Sequence, residues 1–284
     1  ALGIELVPCI QTLAHLNAIF RWKAFNGVHD TADILSTGEE ETYVLIEDMI
    51  RTWAETVRSR VINLGMDEAE MIGRGSFLNR YGYQDRLTIM ERHLKRVLSI
   101  CEKYGFTCMM WSDMFFKILS GEGYHSANVE ITDEVRSRIP QNVELIYWDY
   151  YSRDEETYCR MLSNHKKLSD RVGFAGGAWK WNGYAPLLSH SIRASRLALS
   201  ACRQFSIGDV MVTGWGDDGS EASQACVLPV LCEYAESCYA DRTDDEWLAE
   251  RMLACTGERY EDFLLLDLPN LTPDNPSPGR VSVG

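Results

Sequence analysis

A chain of 284 residues is long enough for one large α/β domain or two smaller ones, and a 45% share of hydrophobic residues supplies a substantial core. Its 42 acidic and 28 basic residues give a net charge of −14, which opposes binding to a nucleic-acid backbone or an anionic membrane surface. No apolar run reaches the roughly 18 residues of a membrane span, no export signal is visible, and nine cysteines without a C-x-x-C pair fit a reducing cytoplasm better than a disulfide framework or a zinc site.

In chain order, Ile4 to Ile10 reads as a first strand. Gly38-Glu39-Glu40-Glu41 solvates a loop and leads into a helix carrying Met49, Ile50, Trp53 and Val57 at 3.6-residue spacing. A second strand runs over Val61 to Gly65. Leu87, Met90, Leu94, Val97, Leu98 and Cys101 then form a helical stripe that Gly105 should end. Strands follow at Thr107 to Trp111, Val143 to Trp148, Val172 to Ala178 and Val210 to Trp215, with helices at about 154–168, 188–204, 220–240 and 245–255. Gly176-Gly177 lacks any phosphate-loop pattern and reads as a turn. Thr243-Asp244-Asp245-Glu246 has the spacing of a capping box, and the proline-rich stretch from Pro269 reads as an irregular tail.

Strands alternating with helices predict parallel βα units. Six are visible, and the informative residues sit after their strands: Gln11 and His15, Asp67 and Glu68, Trp111 and Asp113, Trp148 to Tyr151, Trp179 and Trp181, and Trp215 to Asp218. An open doubly wound sheet also binds ligands at strand ends, but it uses only the few at its switch point. Contributions from five or six ends favour a TIM-type (β/α)8 barrel. Six units are two short of closure, so the chain is expected to supply strands three to eight, with residues 1–240 as a partial catalytic barrel and 241–284 as a helical extension and tail.

Val61-Ile62-Asn63-Leu64-Gly65 runs straight into two adjacent carboxylates, Asp67 and Glu68. One reading is a helix N-terminus capped by Asp67. The other is chemical, because two neighbouring carboxylates are costly to bury and suit an open strand mouth. Most glycosidases place their two acids on different strands, roughly 5 to 9.5 Å apart across the bond they cut. Adjacent acids suggest another division of labour, in which a substrate's own 2-acetamido oxygen attacks the anomeric carbon. Glu68 would protonate the leaving oxygen, and Asp67 would hold the acetamido N–H and stabilise the oxazoline intermediate.

Four segments, in order, are similar to glycoside hydrolase family 20, the β-N-acetylhexosaminidases. They are Pro8-Cys9-Ile10-Gln11-Thr12-Leu13-Ala14-His15, Gly65-Met66-Asp67-Glu68-Ala69, Trp111-Ser112-Asp113-Met114-Phe115 and Thr213-Gly214-Trp215-Gly216-Asp217-Asp218-Gly219. They look most like the bacterial branch of exo-acting N-acetylglucosaminidases, and the resemblance covers residue 3 to about 240. It implies Asp67 as the acetamido-orienting aspartate, Glu68 as the general acid/base, and His15 as a supporting histidine whose alternative is a hydrogen-bonded core residue. It further implies Trp111, Trp179 or Trp181, and Trp215 as walls of the sugar pocket, and Asp217 as the carboxylate gripping sugar hydroxyls, with Asp218 and Glu221 as competitors. Aromatic faces suit the C–H groups of a pyranose.

The chain departs from the family at two points. The segment where a tyrosine is expected to donate to the acetamido oxygen reads Ala178-Trp179-Lys180-Trp181-Asn182, so Tyr150 is the substitute, with Tyr147 and Tyr184 behind it. No strand matches the one that supplies the family's sugar-fixing arginine. The expected activity is retaining, exo-acting release of terminal β-linked N-acetylglucosamine, or its C4 epimer, from an oligosaccharide or glycoconjugate. No cofactor, metal, nucleic acid or membrane is implied, and the oligomeric state is open. The rivals are a catalytically incomplete fragment, an N-acetyl-sugar-binding protein, and a metal-dependent hydrolase using Asp67, Glu68 and His15.

Overall fold

The computed structural model describes residues 2–181, 183–217, 221–240 and 242–271. They form two compact units: residues up to 147 with 164–172, and residues 148–163 with those from 173 onward.

The first unit begins with a short helix, α1 (Asn17–Phe20), and an antiparallel pair, β1 (His29–Thr31) and β2 (Ile34–Leu35). Next come α2 (Glu40–Thr56), β3 (Val61–Asn63), α3 (Ser76–Tyr81), α4 (Arg86–Lys103), β4 (Thr107–Trp111), α5 (Asp113–Ser120), α6 (Asp133–Arg138) and β5 (Val143–Trp148), whose last residue falls in the second unit. β3, β4 and β5 are parallel neighbours, with Val61 opposite Thr107 and Cys108 opposite Val143. The expected stripe of α4 is buried from Leu87 to Cys101, Asp85 caps its start by accepting from the Thr88 N–H at 2.9 Å, and Gly105 leaves it at φ 73°. Leu87 to Cys101 thus face the core at the helical period that predicted them.

Ile4 to Ile10 does not form the expected strand. Leu2, Ile4 and Leu6 are 86%, 82% and 69% exposed, so no apolar surface holds that stretch to a sheet. Only residues 8–12 run beside β3, through Asn63 N–H to the Pro8 carbonyl, Ile10 N–H to Asn63 and Thr12 N–H to Leu64, at 2.9 to 3.1 Å. β3 also stops at Asn63 rather than Gly65, because Gly65 and Met66 turn left-handed at φ 71° and 70°. The β1–β2 pair and α3, α5 and α6 escaped the sequence reading because they are too short for an apolar period to show. Asp30 of β1 is buried and accepts from the N–H groups of Gly73, Gly75 and Phe77 at 2.8 to 3.1 Å, pinning the end of the long loop after β3.

α7 (Glu155–Leu168) and β6 (Val172–Gly177) run across the unit boundary in sequence. Within the second unit β6 pairs in parallel with β7 (Val210–Thr213), Phe174 opposite Val210 and Gly177 opposite Thr213. Gly176-Gly177 is therefore the end of a strand rather than a turn. A Cβ at Gly176 would meet the Tyr234 hydroxyl at 1.8 Å, and one at Gly177 would meet Trp181 and Tyr150 at under 3 Å. α8 (Leu188–Gln204), α9 (Leu228–Tyr239), α10 (Asp245–Thr256) and α11 (Tyr260–Leu264) enclose a core of Leu188, Ile192, Leu199, Val230, Tyr234, Leu248 and Met252. The expected helix at 220–240 is broken into a 3-10 turn, Gln224–Val227, ahead of α9. Asp244, not Thr243, caps α10 by accepting from the Trp247 N–H at 3.0 Å. Among the described residues no helix is long and apolar enough to cross a membrane.

Candidate active site

In the first unit the chain leaves β3 in an unusual conformation. Gly65, Met66 and Glu68 all take positive φ, at 71°, 70° and 53°. A left-handed residue with a side chain costs about 1–2 kcal/mol, so Met66 and Glu68 must be held by their surroundings. Met66, Ala69 and Ile72 are fully buried and anchor the loop. Gly65 has no alternative: a Cβ there would meet the Gln11 side-chain oxygen at 2.1 Å and the Ile10 carbonyl at 2.7 Å. Residues 67 and 68 lie in this loop, and the next helix starts only at Ser76, so neither acid sits at a helix N-terminus.

The loop delivers the two carboxylates differently. Asp67 is half-buried, its side chain 17% exposed, and it accepts from Gln11 Nε2 at 3.2 Å while its other oxygen lies 3.2 Å from His15 Nε2. Glu68 is 49% exposed and lies 3.6 Å from the same His15 nitrogen. His15 itself is left-handed at φ 59°, with its backbone N–H donating to Asp33 Oδ2 at 2.9 Å. Its hydrogen bond to Asp67 raises the imidazole pKa to about 9, with the charges of Asp67, Glu68 and Asp33 adding to this against partial burial. His15 is therefore an imidazolium at neutral pH, bridging the two acids. At 3.2 Å it is in direct hydrogen-bond contact with Asp67, and no group of three or more His, Cys, Asp or Glu among the described residues is placed to hold a metal.

Behind Glu68 stands α5. Asp113, its first residue, is fully buried and accepts the Glu68 backbone N–H at 3.0 Å. Lys117, one turn on, lies 3.1 Å from Asp113 and donates to Glu70 at 2.5 Å. Burial pushes the Asp113 carboxyl up to about 6, against the pull of Lys117. Trp111, the last residue of β4, is only 3% exposed. Ser112 lies 2.7 Å from His165 Nε2 and 2.8 Å from the Tyr124 hydroxyl, and it donates to the Ile146 carbonyl at 2.9 Å. Ser112 and His165 have zero exposure, so this pair is a strut fixing the start of α5 rather than a nucleophile and base.

The second unit gathers the aromatic candidates. Trp215 Nε1 donates to the Tyr150 hydroxyl at 3.0 Å. Tyr150 packs edge-on to Trp181 and stacks on Trp148, with ring centres 5.1 and 5.3 Å apart. Trp179 and Trp181 lie parallel within 5° at 5.6 Å, and Tyr151 meets Trp179 edge-on at 5.0 Å. The turn is fixed by buried Asp149, which accepts from the N–H groups of Tyr151 and Ser152 and from the Ser152 hydroxyl at 2.6 to 3.0 Å. Asp217 is exposed two residues beyond Trp215, Glu221 is exposed, and Asp218 lies outside the described residues. Of the alternative tyrosines, Tyr147 is fully buried in the first unit beside His165, and Tyr184 is 77% exposed.

His15, Asp67 and Glu68 are thus brought together, as are Tyr150, Trp179, Trp181 and Trp215. Gln11 and Asp113 were visible only as strand-end polar residues with no role, and Asp33, Glu70 and Lys117 carried no signal at all.

No family model matches the chain. Hexosaminidase D of Bos taurus is 26% identical over 191 residues, 63% of this chain and 49% of that protein. A β-N-acetylhexosaminidase of Bacteroides fragilis superposes with a TM-score of 0.59 at 14% identity, over 89% of this chain and 51% of that one. A family 20 exo-β-N-acetylglucosaminidase of Vibrio harveyi, bound to N-acetylglucosamine, superposes with a TM-score of 0.55 at 13% identity, over 93% and 43%. The chain spans about half the length of the curated relatives it matches. It carries, as a partial TIM-type (β/α)8 barrel, the fold of the glycoside hydrolase family 20 β-N-acetylhexosaminidases, and it is similar in sequence to hexosaminidase D.

Proposed function

We propose that this chain bears the acid pair of a retaining exo-β-N-acetylhexosaminidase that works through the substrate's own acetamide. The observation that carries the reading is the loop after β3, where two adjacent carboxylates are held differently around one imidazolium. Asp67 is fixed through both oxygens, by Gln11 and His15, as suits a residue that orients a substrate N–H and faces a developing cation. Glu68 is half-exposed and can reach a leaving-group oxygen.

In the proposed reaction Asp67 accepts the acetamido N–H and turns the carbonyl oxygen towards C1. That oxygen bonds to C1 as the glycosidic C–O bond breaks, and the Glu68 proton passes to the departing oxygen. The imidazolium of His15 stabilises the carboxylate that Glu68 becomes. Water then attacks C1 of the oxazolinium from the opposite face, gives its proton to Glu68 and restores the acetamide, so two inversions leave the β anomer. Within the second unit Tyr150, Trp179, Trp181 and Trp215 offer aromatic faces of the kind that bind sugar C–H groups and Asp217 a carboxylate of the kind that binds hydroxyls, while Trp111 is the first unit's buried aromatic candidate.

Incubating the chain with 4-nitrophenyl N-acetyl-β-D-glucosaminide and following the products by proton NMR tests this reading. The β anomer of N-acetylglucosamine should appear first and then mutarotate. Appearance of the α anomer first contradicts retention, and tight binding of an N-acetylglucosamine-derived thiazoline without any hydrolysis would mark a sugar-binding protein instead.

A further inference from the structure

Glu68 occupies a left-handed conformation that its own side chain disfavours, and two contacts from one helix bracket it. Asp113 takes the Glu68 N–H at 3.0 Å, and Lys117, on the next turn of α5, takes the carboxylate of Glu70 at 2.5 Å. The two helix residues are themselves paired at 3.1 Å. The start of α5 is fixed in turn by the fully buried Ser112 and its bonds to His165 and Tyr124.

We propose that Asp113 is a positioning residue for the acid/base: with Lys117 it clamps residues 68–70 so that the Glu68 carboxyl is held in the geometry proton transfer needs. This rests on the reading of Glu68 as the acid. Its hydrogen bond reaches the Glu68 backbone N–H rather than the Glu68 carboxyl, so Asp113 acts on the acid through the position of the loop. A fully buried carboxylate is a costly way to hold a loop together, since an uncharged residue of the same shape avoids the loss of hydration. The carboxylate is understandable if the loop conformation matters more than the stability given up to obtain it.

The variant Asp113→Asn keeps the shape but leaves the Glu68 N–H and Lys117 a neutral amide oxygen in place of a carboxylate, which roughly halves the strength of the charge-assisted hold on the loop. Because Lys117 retains Glu70 as a partner, the fold should survive, with Tm unchanged or higher. On 4-nitrophenyl N-acetyl-β-D-glucosaminide kcat should fall about 10- to 100-fold with KM within about twofold of wild type, since a shift of the acid by an ångström costs on that order and sugar contacts are untouched. The Glu68 amide, followed by hydrogen exchange, should exchange at least about tenfold faster. Lys117→Gln should move kcat and exchange in the same direction by less. An Asp113→Asn protein with wild-type kcat and Glu68 exchange overturns the inference, as does a kcat that falls only in step with a lost Tm. A wild-type chain that shows no turnover overturns instead the hydrolase reading on which this rests, and the exchange measurement separates the two failures because it needs no activity.

Discussion

Glu68→Gln should lower kcat/KM on N,N′-diacetylchitobiose by about 10²- to 10⁴-fold, which is roughly 3–5 kcal/mol of transition-state stabilisation. The sugar alcohol leaving from this substrate is a poor leaving group and needs a proton as the C–O bond breaks. 4-Nitrophenolate leaves without one, so the same variant should lose far less on the aryl glycoside. That difference between two substrates is the signature of an acid, because a variant that merely disturbed the fold would slow both alike. Glu68 is 49% exposed at the side chain, so the substitution should leave Tm near wild type. Steady-state kinetics on the two substrates decide the matter, and a chitobiose rate equal to wild type would remove Glu68 from the role.

Asp67→Ala should behave differently. Asp67 acts in the proposal on the attacking acetamide rather than on the leaving group, so its loss should cost about 10²- to 10³-fold on both substrates. It carries a second, independent readout. The Asp67 hydrogen bond is the largest cause of the raised His15 pKa of about 9. Without it, the imidazole should titrate nearer its ordinary value of about 6.5, as NMR of the His15 ring protons would report. The raised pKa also implies that the His15–Asp67 contact stabilises the fold at pH values below about 6.5 and that this contribution fades as pH rises through about 9. A His15 that titrates unchanged in Asp67→Ala would mean that the contact is not made in solution.

The adjacent carboxylates are plainer in the sequence than the residues that hold them. β4 and β5 are apolar runs with a clear beginning and end, and the structure places them at the residues expected, Thr107–Trp111 and Val143–Trp148. Asp67 and Glu68 stand out because charge follows an apolar strand without a break, a local signal. Gln11, Asp33 and Asp113 hold those residues through contacts 18 to 56 positions apart in the chain, and such pairings leave no period or spacing to read. The strand expected at Ile4 to Ile10 shows the converse. Its alternation is strand-like, but Ile4 and Leu6 have no surface to cover, and local preference alone does not build a sheet. The capping pattern at 243–246 was right in kind and off by one residue, since Thr243 and Asp244 both fit and only the backbone angle decides between them.

In the proposed reaction the substrate supplies the nucleophile, so its acetamide is the group whose removal matters most. The most direct measurement is 4-nitrophenol release by the chain from two substrates that differ only at C2, the β-N-acetylglucosaminide and the β-glucoside. The acetamide-bearing substrate should be hydrolysed at least about 10³-fold faster, because the glucoside has no group to attack C1. Comparable rates on both would contradict it and would require a nucleophile belonging to the protein.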